Sequence, residues 1–286
     1  MPHYTGPLIT RRLLEVMCLV RDRGEPRFEG SFDLGRSRHE AEVTVDDWRF
    51  GGQSFPWPEK LKDRTIYYWD GDTFAALQRF AGSLIKLVPT EWGAPTFEID
   101  GIKMLPTSQV SPFADAERKV SLIKPNGKRI LDTCGGLGYF AACSLVGGAA
   151  DILSFEKNVD VLWLRQHNPW SPDPDSIEAG GRLRLQHGDV SQQILVQPDQ
   201  CFDAALHDPP RFGIAGELYS QSFYDQLYRV LRPGAPLFHY TGTPNAKTSG
   251  RDVPAEVSKR LVKCGFKVRR ELDGVFAEKP SKPSRR

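Results

Sequence analysis

The rhythm of apolar and polar positions changes near residue 110. Ahead of it, Ile9 to Val20 carries Leu13, Leu14, Val16, Met17, Leu19 and Val20 between charges, a helix period that Gly24-Glu-Pro26 ends. Short alternating stretches follow and predict strands: Ser31–Leu34, Glu42–Val45, a strand edge at Trp48 and Phe50, Thr65–Trp69 and Leu84–Val88. Phe55-Pro-Trp-Pro58 reads as a proline-stiffened loop, and Asp100-Gly101 between Thr96–Ile99 and Ile102–Leu105 is a hairpin signal. These residues predict a small β-rich module with one helix in front.

Beyond residue 110 short apolar runs alternate with helix-period stretches. Pro112–Ile123 places Phe113, Ala116, Val120 and Ile123 at helical spacing, and Pro125-Asn-Gly127 stops it. Apolar runs then end at Asp132, Glu156, Asp189 and Asp208, and a fifth is Pro236–Tyr240. Helices are expected over 159–166, 190–195, 222–231 and 254–264, with a closing antiparallel pair at 266–269 and 274–277. Alternating strands and helices predict a doubly wound, mostly parallel α/β sheet covered on both faces. The expected division is residues 1–110 for the β-rich module, 111–279 for the α/β domain and 280–286 for a disordered basic tail.

Composition narrows the function classes. A net charge of +2 gives no global basic field, so any nucleic-acid contact needs a local patch. Five cysteines without paired spacing argue against a disulfide framework and a zinc site, and no metal site is expected. No apolar run approaches the roughly 18 residues of a membrane span. The expectation is a soluble, cytoplasmic protein.

The chemistry concentrates at the strand ends. After Asp132 come Thr133, Cys134, Gly135, Gly136, Leu137 and Gly138, a strand, tight turn and small-residue helix. Glycines there permit positive φ and close approach of a ligand to the main chain. Glu156 closes the next strand, where a nucleotide-binding βαβ unit puts its ribose-binding acid. Asp208-Pro-Pro-Arg-Phe212 lies where an open α/β sheet presents its reaction centre.

Four acid-bearing strand ends in this order resemble class I S-adenosylmethionine-dependent methyltransferases over roughly residues 111–279. Leu-Asp-Thr-Cys, Gly-Leu-Gly-Tyr, His-Asp-Pro-Pro-Arg-Phe and Gly-Glu-Leu-Tyr-Ser also look like a group of predicted methyltransferases found largely in archaea and bacteria. The resemblance implies a seven-stranded Rossmann-like sheet and S-adenosyl-L-methionine as cofactor. It implies cofactor contacts from Asp132, Cys134, Gly135, Gly136, Gly138, Glu156, Asp189, Val190 and Asp208. Cys134 stands where the family's first glycine would be. Glu156 would take both ribose hydroxyls, Asp189 the adenine amino group, and Val190 the ring.

In methyltransferases that modify amino groups, an acid or amide before Pro-Pro and an aromatic residue holds the target nitrogen. Asp208, Pro209 and Pro210 are therefore the catalytic candidates, with Arg211 standing in the aromatic position. Arg211, Phe212, Glu217, Tyr219, His239 and Tyr240 are candidate substrate contacts, His239 also as a general base. Asn245 is expected beside them on the exit of the fifth strand. The Asp-Pro-Pro-basic-Phe pattern also resembles ribosomal RNA methyltransferases acting at the 5-carbon of cytosine. Those need a cysteine after the next strand, where this chain has Tyr240-Thr-Gly242. Transfer to nitrogen or oxygen is expected, with RNA as the leading acceptor, held by Trp48, Trp57, Trp69, Trp92, Arg36 and Arg38 of the first module. Filling of a small β core by those tryptophans, with the arginines on a solvated turn, is the favoured reading of these residues over base stacking. Other acceptors are a small molecule or, as in spermidine synthases, an amine receiving an aminopropyl group. Those synthases carry an Asp within the first glycine turn, and this chain has Gly-Gly-Leu-Gly.

Overall fold

The computed structural model describes residues 3–242 and 252–281. Asn245 and residues 282–286 of the tail lie outside the described residues. Two units emerge, one of residues 1–113 with 163–171, the other of residues 114–162 with 172–286. The segment 163–171, the end of the helix Val159–His167 and the turn after it, thus belongs with the first unit.

In the first unit, Thr10 caps the helix Arg11–Asp22 by accepting the Leu13 amide, and Leu14 and Met17 are its buried residues. A four-stranded antiparallel meander runs through Arg27–Gly30, His39–Val43, Asp47–Phe50 and Gln53–Pro56. Its inward positions pair Phe28 with Ala41, Val43 with Trp48, and Trp48 with Phe55. Two smaller sheets complete it, of Leu8–Thr10, Ile66–Trp69 and Phe74–Ala76, and of Gln78–Phe80, Leu84–Val88, Thr96–Ile99 and Ile102–Lys103. Asp100 (φ 49°) and Gly101 (φ 78°) make the hairpin turn with two left-handed residues.

Two sequence expectations fail here. Ser31–Leu34 is a turn, not a strand: Asp33 accepts from the Ser31 hydroxyl and from the amides of Arg36 and Ser37, and Leu34 takes φ 56°. A local carboxylate wins over the alternating pattern. Conversely, part of the proline loop is the strand Gln53–Pro56, which Pro56 tolerates because this strand is a sheet edge.

The second unit is built on a seven-stranded sheet. Its strands are β1 (Arg129–Asp132), β2 (Asp151–Glu156), β3 (Leu183–His187), β4 (Ala204–His207), β5 (Pro236–Tyr240), β6 (Lys267–Glu271) and β7 (Gly274–Glu278). Their order is β3-β2-β1-β4-β5-β7-β6, with the first five parallel and β7 antiparallel to both neighbours. Leu131, Leu153, Ala205, Leu237 and Val275 join one core with Phe223, Leu227, Val257 and Leu261. The intervening Ile130, Ile152, Leu206, Phe238 and Phe276 are buried as well. Burial on both faces is why these strands read as continuous apolar runs. Strand order reverses between β1 and β4, which opens a crevice at their carboxyl ends.

Candidate active site

The glycine turn grows directly from β1. Asp132 is 1% exposed and accepts the Ser154 hydroxyl of β2 at 2.7 Å, so this acid sits under the turn. Thr133 reaches Leu206 O through its amide, and its hydroxyl meets His207 Nδ1 at 2.7 Å. The Gly135 amide donates to Phe155 O, and the Gly138 amide to Gly135 O, both at 2.7 Å. Gly136 and Gly138 take φ 49° and 82°, where a side chain would be strained. Gly138 then caps the helix Tyr139–Val146.

Glu156 closes this turn from β2. Its Oε2 accepts the Gly136 amide and its Oε1 the Asn158 amide, each at 2.8 Å. Asp189 caps the helix Val190–Gln193 through the Ser191 amide and pairs with Lys157 at 2.7 Å. Burial raises its carboxyl, and the bonds from Lys157 and Ser191 outweigh this and hold it below the ordinary range. Val190 is buried in the core beside Leu153 and Phe155.

Because β4 pairs with β1, Asp208 follows β4 next to the glycine turn. Some of its surface stays open, yet protein surrounds the carboxyl closely enough that burial pushes it up to about 7. Lys119 opposes that rise, and Asp115, Asp273 and Asp132 add to it. The Cys134 thiol is raised well above its ordinary range, chiefly by burial, so it is held as a neutral thiol.

The residues after Asp208 divide. Tyr219 is 1% exposed and its hydroxyl donates to Pro210 O at 3.1 Å, which braces the proline loop. Phe212 packs edge-on against Tyr219 with ring centroids 5.5 Å apart. Arg211 and Glu217 are exposed. His239 lies in the core: Nδ1 faces Tyr240 O and Nε2 faces the Tyr224 hydroxyl, both at 2.8 Å. Burial holds it well below its ordinary value, so it is a neutral, fully engaged imidazole. The structure therefore does not bring His239 into the crevice. Tyr240 stands at the crevice edge, next to Asp208 across paired β4 and β5.

Three site residues escape a reading of the sequence. Lys119, on the helix Pro112–Ile123, has a side chain 2% exposed. Its ammonium meets Asp115 at 2.6 Å and Asp273 at 3.3 Å, and lies 4.2 Å from the Tyr240 ring centroid. Asp273 precedes β7, whose Gly274 pairs with Tyr240. The signal for Lys119 was its place three residues after Ala116 and four before Ile123, on the buried face. Asp273 had no local signal.

In the first unit, Trp48 is 1% exposed and stacks on both Phe32 and Phe55, which makes it core. The Trp57 ring lies under Arg21 and Trp69 packs on Phe74, while Trp92 is 45% exposed. Arg38 pairs with Glu29 at 2.9 Å, and Arg36 donates to Pro169 O beside the Trp170 ring.

No family model matches the chain. The uncharacterized protein MJ1233 of Methanocaldococcus jannaschii is 39% identical over 263 residues, 87% of this chain and 88% of that one. Polyamine aminopropyltransferase 2 of Streptomyces coelicolor is 28% identical over 127 residues, 38% of this chain and 23% of that protein. Among solved structures, a spermidine synthase in complex with the transition-state analogue AdoDATO covers 90% of this chain and 82% of its own, with TM-score 0.56 and 15% identity. An S-adenosylmethionine-dependent methyltransferase from Mesorhizobium loti covers 58% of this chain and 96% of its own, with TM-score 0.41 and 17% identity. The likeness to solved structures is one of fold. Among the described residues no helix is long and apolar enough to cross a membrane.

Proposed function

We propose, for a chain that belongs to the family of the uncharacterized Methanocaldococcus jannaschii protein MJ1233, methyl transfer from S-adenosylmethionine to an amine nitrogen held at Asp208. The observation that carries this reading is the placing of Asp208, at the end of β4, next to the glycine turn that Glu156 clamps through the Gly136 amide, where burial raises its carboxyl to about 7. A carboxylate poised near neutrality can take the proton that an amine must lose.

S-adenosylmethionine supplies a sulfonium methyl. Glu156 would accept ribose hydroxyls, and the turn from Cys134 to Gly138 would lie along the donor. Asp189 and Val190 would flank the adenine. The amine lone pair forms the new carbon–nitrogen bond as the carbon–sulfur bond breaks, its electrons staying on sulfur. Asp208 takes the amine proton. Pro209 and Pro210, braced by Tyr219, fix where the acceptor stands, and positioning supplies much of the rate.

Local charge supports one acceptor class. Asp115, Asp208, Asp273 and Asp132 outnumber Lys119 here, a field that favours a small cationic amine over a phosphate backbone. RNA is the weaker reading, since Arg36 and Arg38 already have partners. Aminopropyl transfer is the second reading, favoured by the spermidine synthase likeness over 90% of the chain. Against it, Leu137, 2% exposed, stands in the turn where those synthases carry an Asp.

Calorimetric titration of S-adenosylmethionine, its demethylated product and decarboxylated S-adenosylmethionine into the wild type and Glu156→Ala tests the donor. Binding of the first two, lost in Glu156→Ala, supports methyl transfer, and labelled methyl then identifies the acceptor in amine and RNA fractions. Preference for the decarboxylated form moves the reading to aminopropyl transfer. Failure of all three to bind ends both.

A further inference from the structure

We infer that Lys119 is the positioning residue of this site: its ammonium, anchored by Asp115 and Asp273 on the face of Tyr240, is the counter-ion that keeps Asp208 available as a proton acceptor. This rests on the reading of Asp208 as the base.

Geometry carries the inference. Strand pairing brings Asp208, which follows His207, beside Tyr240 at the carboxyl edge of β4 and β5, and Asp273 immediately precedes Gly274, the β7 partner of Tyr240. His207 pairs with His239, and Tyr240 with Gly274. Lys119 reaches Asp273 and Tyr240 from its helix, with its ammonium 3.3 Å from Asp273 and 4.2 Å from the Tyr240 ring centroid. Its own helix adds Asp115 one turn back, at 2.6 Å. Asp273 O also accepts the amides of Thr241 and Gly242, so Asp273 is tied to the exit of β5.

A buried lysine is costly unless its charge is matched. On this helix Ala116, Val120 and Ile123 are buried around it, and an apolar residue at 119 would complete the face. The chain instead keeps a cation, with a side chain only 2% exposed. Asp208 heads the charges that favour that ammonium, ahead of Asp115 and Asp273. In return, Lys119 is the leading influence that favours the Asp208 carboxylate.

The groups acting on Asp208 come from every side of it. Lys119 and Asp115 lie on the helix, Asp273 at the β6–β7 turn, Asp132 on β1, Cys134 in the glycine turn, and Tyr219 and Tyr240 beside it. Three of these seven are carboxylates that discourage a further negative charge. Without Lys119, Asp208 would hold its proton at neutral pH and could accept none.

The test is isotope-edited NMR titration of the Asp208 carboxyl in the full chain, assigned by its loss in Asp208→Asn. Lys119→Gln should raise the Asp208 midpoint by about 1–3 pH units, the effect of losing a near opposite charge. Lys119→Arg should restore it towards wild type. Asp115→Asn should lower it, because a like charge goes while the amide oxygen still accepts from Lys119. Loosened packing would not move the two neutral variants in opposite directions. An unchanged or lowered midpoint in Lys119→Gln overturns the inference. If that variant does not fold, Asp115→Asn decides alone, and an unchanged or raised midpoint overturns it. Full transfer activity in Asp208→Asn would instead sink the base reading, an outcome the titration distinguishes because it needs no acceptor.

Discussion

Glu156 Oε2 accepts the amide of Gly136, 20 residues earlier, at 2.8 Å. One carboxylate thus shapes the turn, and in the proposed reading it also takes the donor ribose. Glu156→Gln keeps the side-chain shape and removes the charge. Hydrogen bonds to charged groups contribute about 1.5–3 kcal/mol, so affinity for S-adenosylmethionine should fall roughly 10- to 100-fold. Calorimetry checks this, and unchanged affinity would remove Glu156 from the site.

Asp208 gives two pH dependences of opposite sign. As a base it must be unprotonated, so kcat/KM should rise with pH through about 7 and then level off. Stability runs the other way. The folded carboxyl holds its proton up to about 7, while the unfolded one releases it near the ordinary 3.8. Over that interval the folded state binds more protons, so stability falls as pH rises and flattens above 7. Asp208→Asn should lower kcat about 10²–10⁴-fold while raising the melting temperature at pH 8 and gaining little at pH 4. Melting curves at the two pH values check the sign.

What the sequence disclosed was local. Apolar runs ending in Asp132, Glu156 and Asp208 were legible because each parallel strand is buried on both faces and ends at the crevice. The glycine turn was legible because Gly136 and Gly138 need positive φ. The Lys119 cluster was hidden because it joins a helix, a strand end and a hairpin turn 154 residues apart (Asp273 less Lys119). Ser31–Leu34 misled because alternation was read without the capacity of Asp33 to gather nearby donors. The tryptophans of the first module were ambiguous in composition, and only the pairing of Trp48 with Val43 and Phe55 puts that ring inside.

That placement predicts a stability role. Trp48 stacks on Phe32 at 5.3 Å, Phe55 at 4.7 Å and Phe74 at 5.8 Å. Trp48→Ala should cost about 3–5 kcal/mol of folding stability in the first unit. Denaturant unfolding followed by the near-ultraviolet aromatic signal would show it. A loss below about 1 kcal/mol would mean the ring is less committed to this core than its burial implies.

Tyr219 offers the finest test of how the proline loop is held. Its hydroxyl donates to Pro210 O at 3.1 Å from a ring that is 1% exposed, and Phe212 rests against that ring. Tyr219→Phe removes one oxygen, leaves the packing, and strands the Pro210 carbonyl. The stability loss should be about 0.5–1.5 kcal/mol, the usual net worth of one hydrogen bond, because this one is only part-buried. If the loop's register sets where the acceptor nitrogen meets Asp208, kcat should drop more than acceptor affinity does. Loss of orientation weakens the transition state before it weakens binding. Steady-state kinetics beside a melting curve separates the effects: a lower melting temperature with unchanged kcat would make Tyr219 a brace for the fold and nothing more.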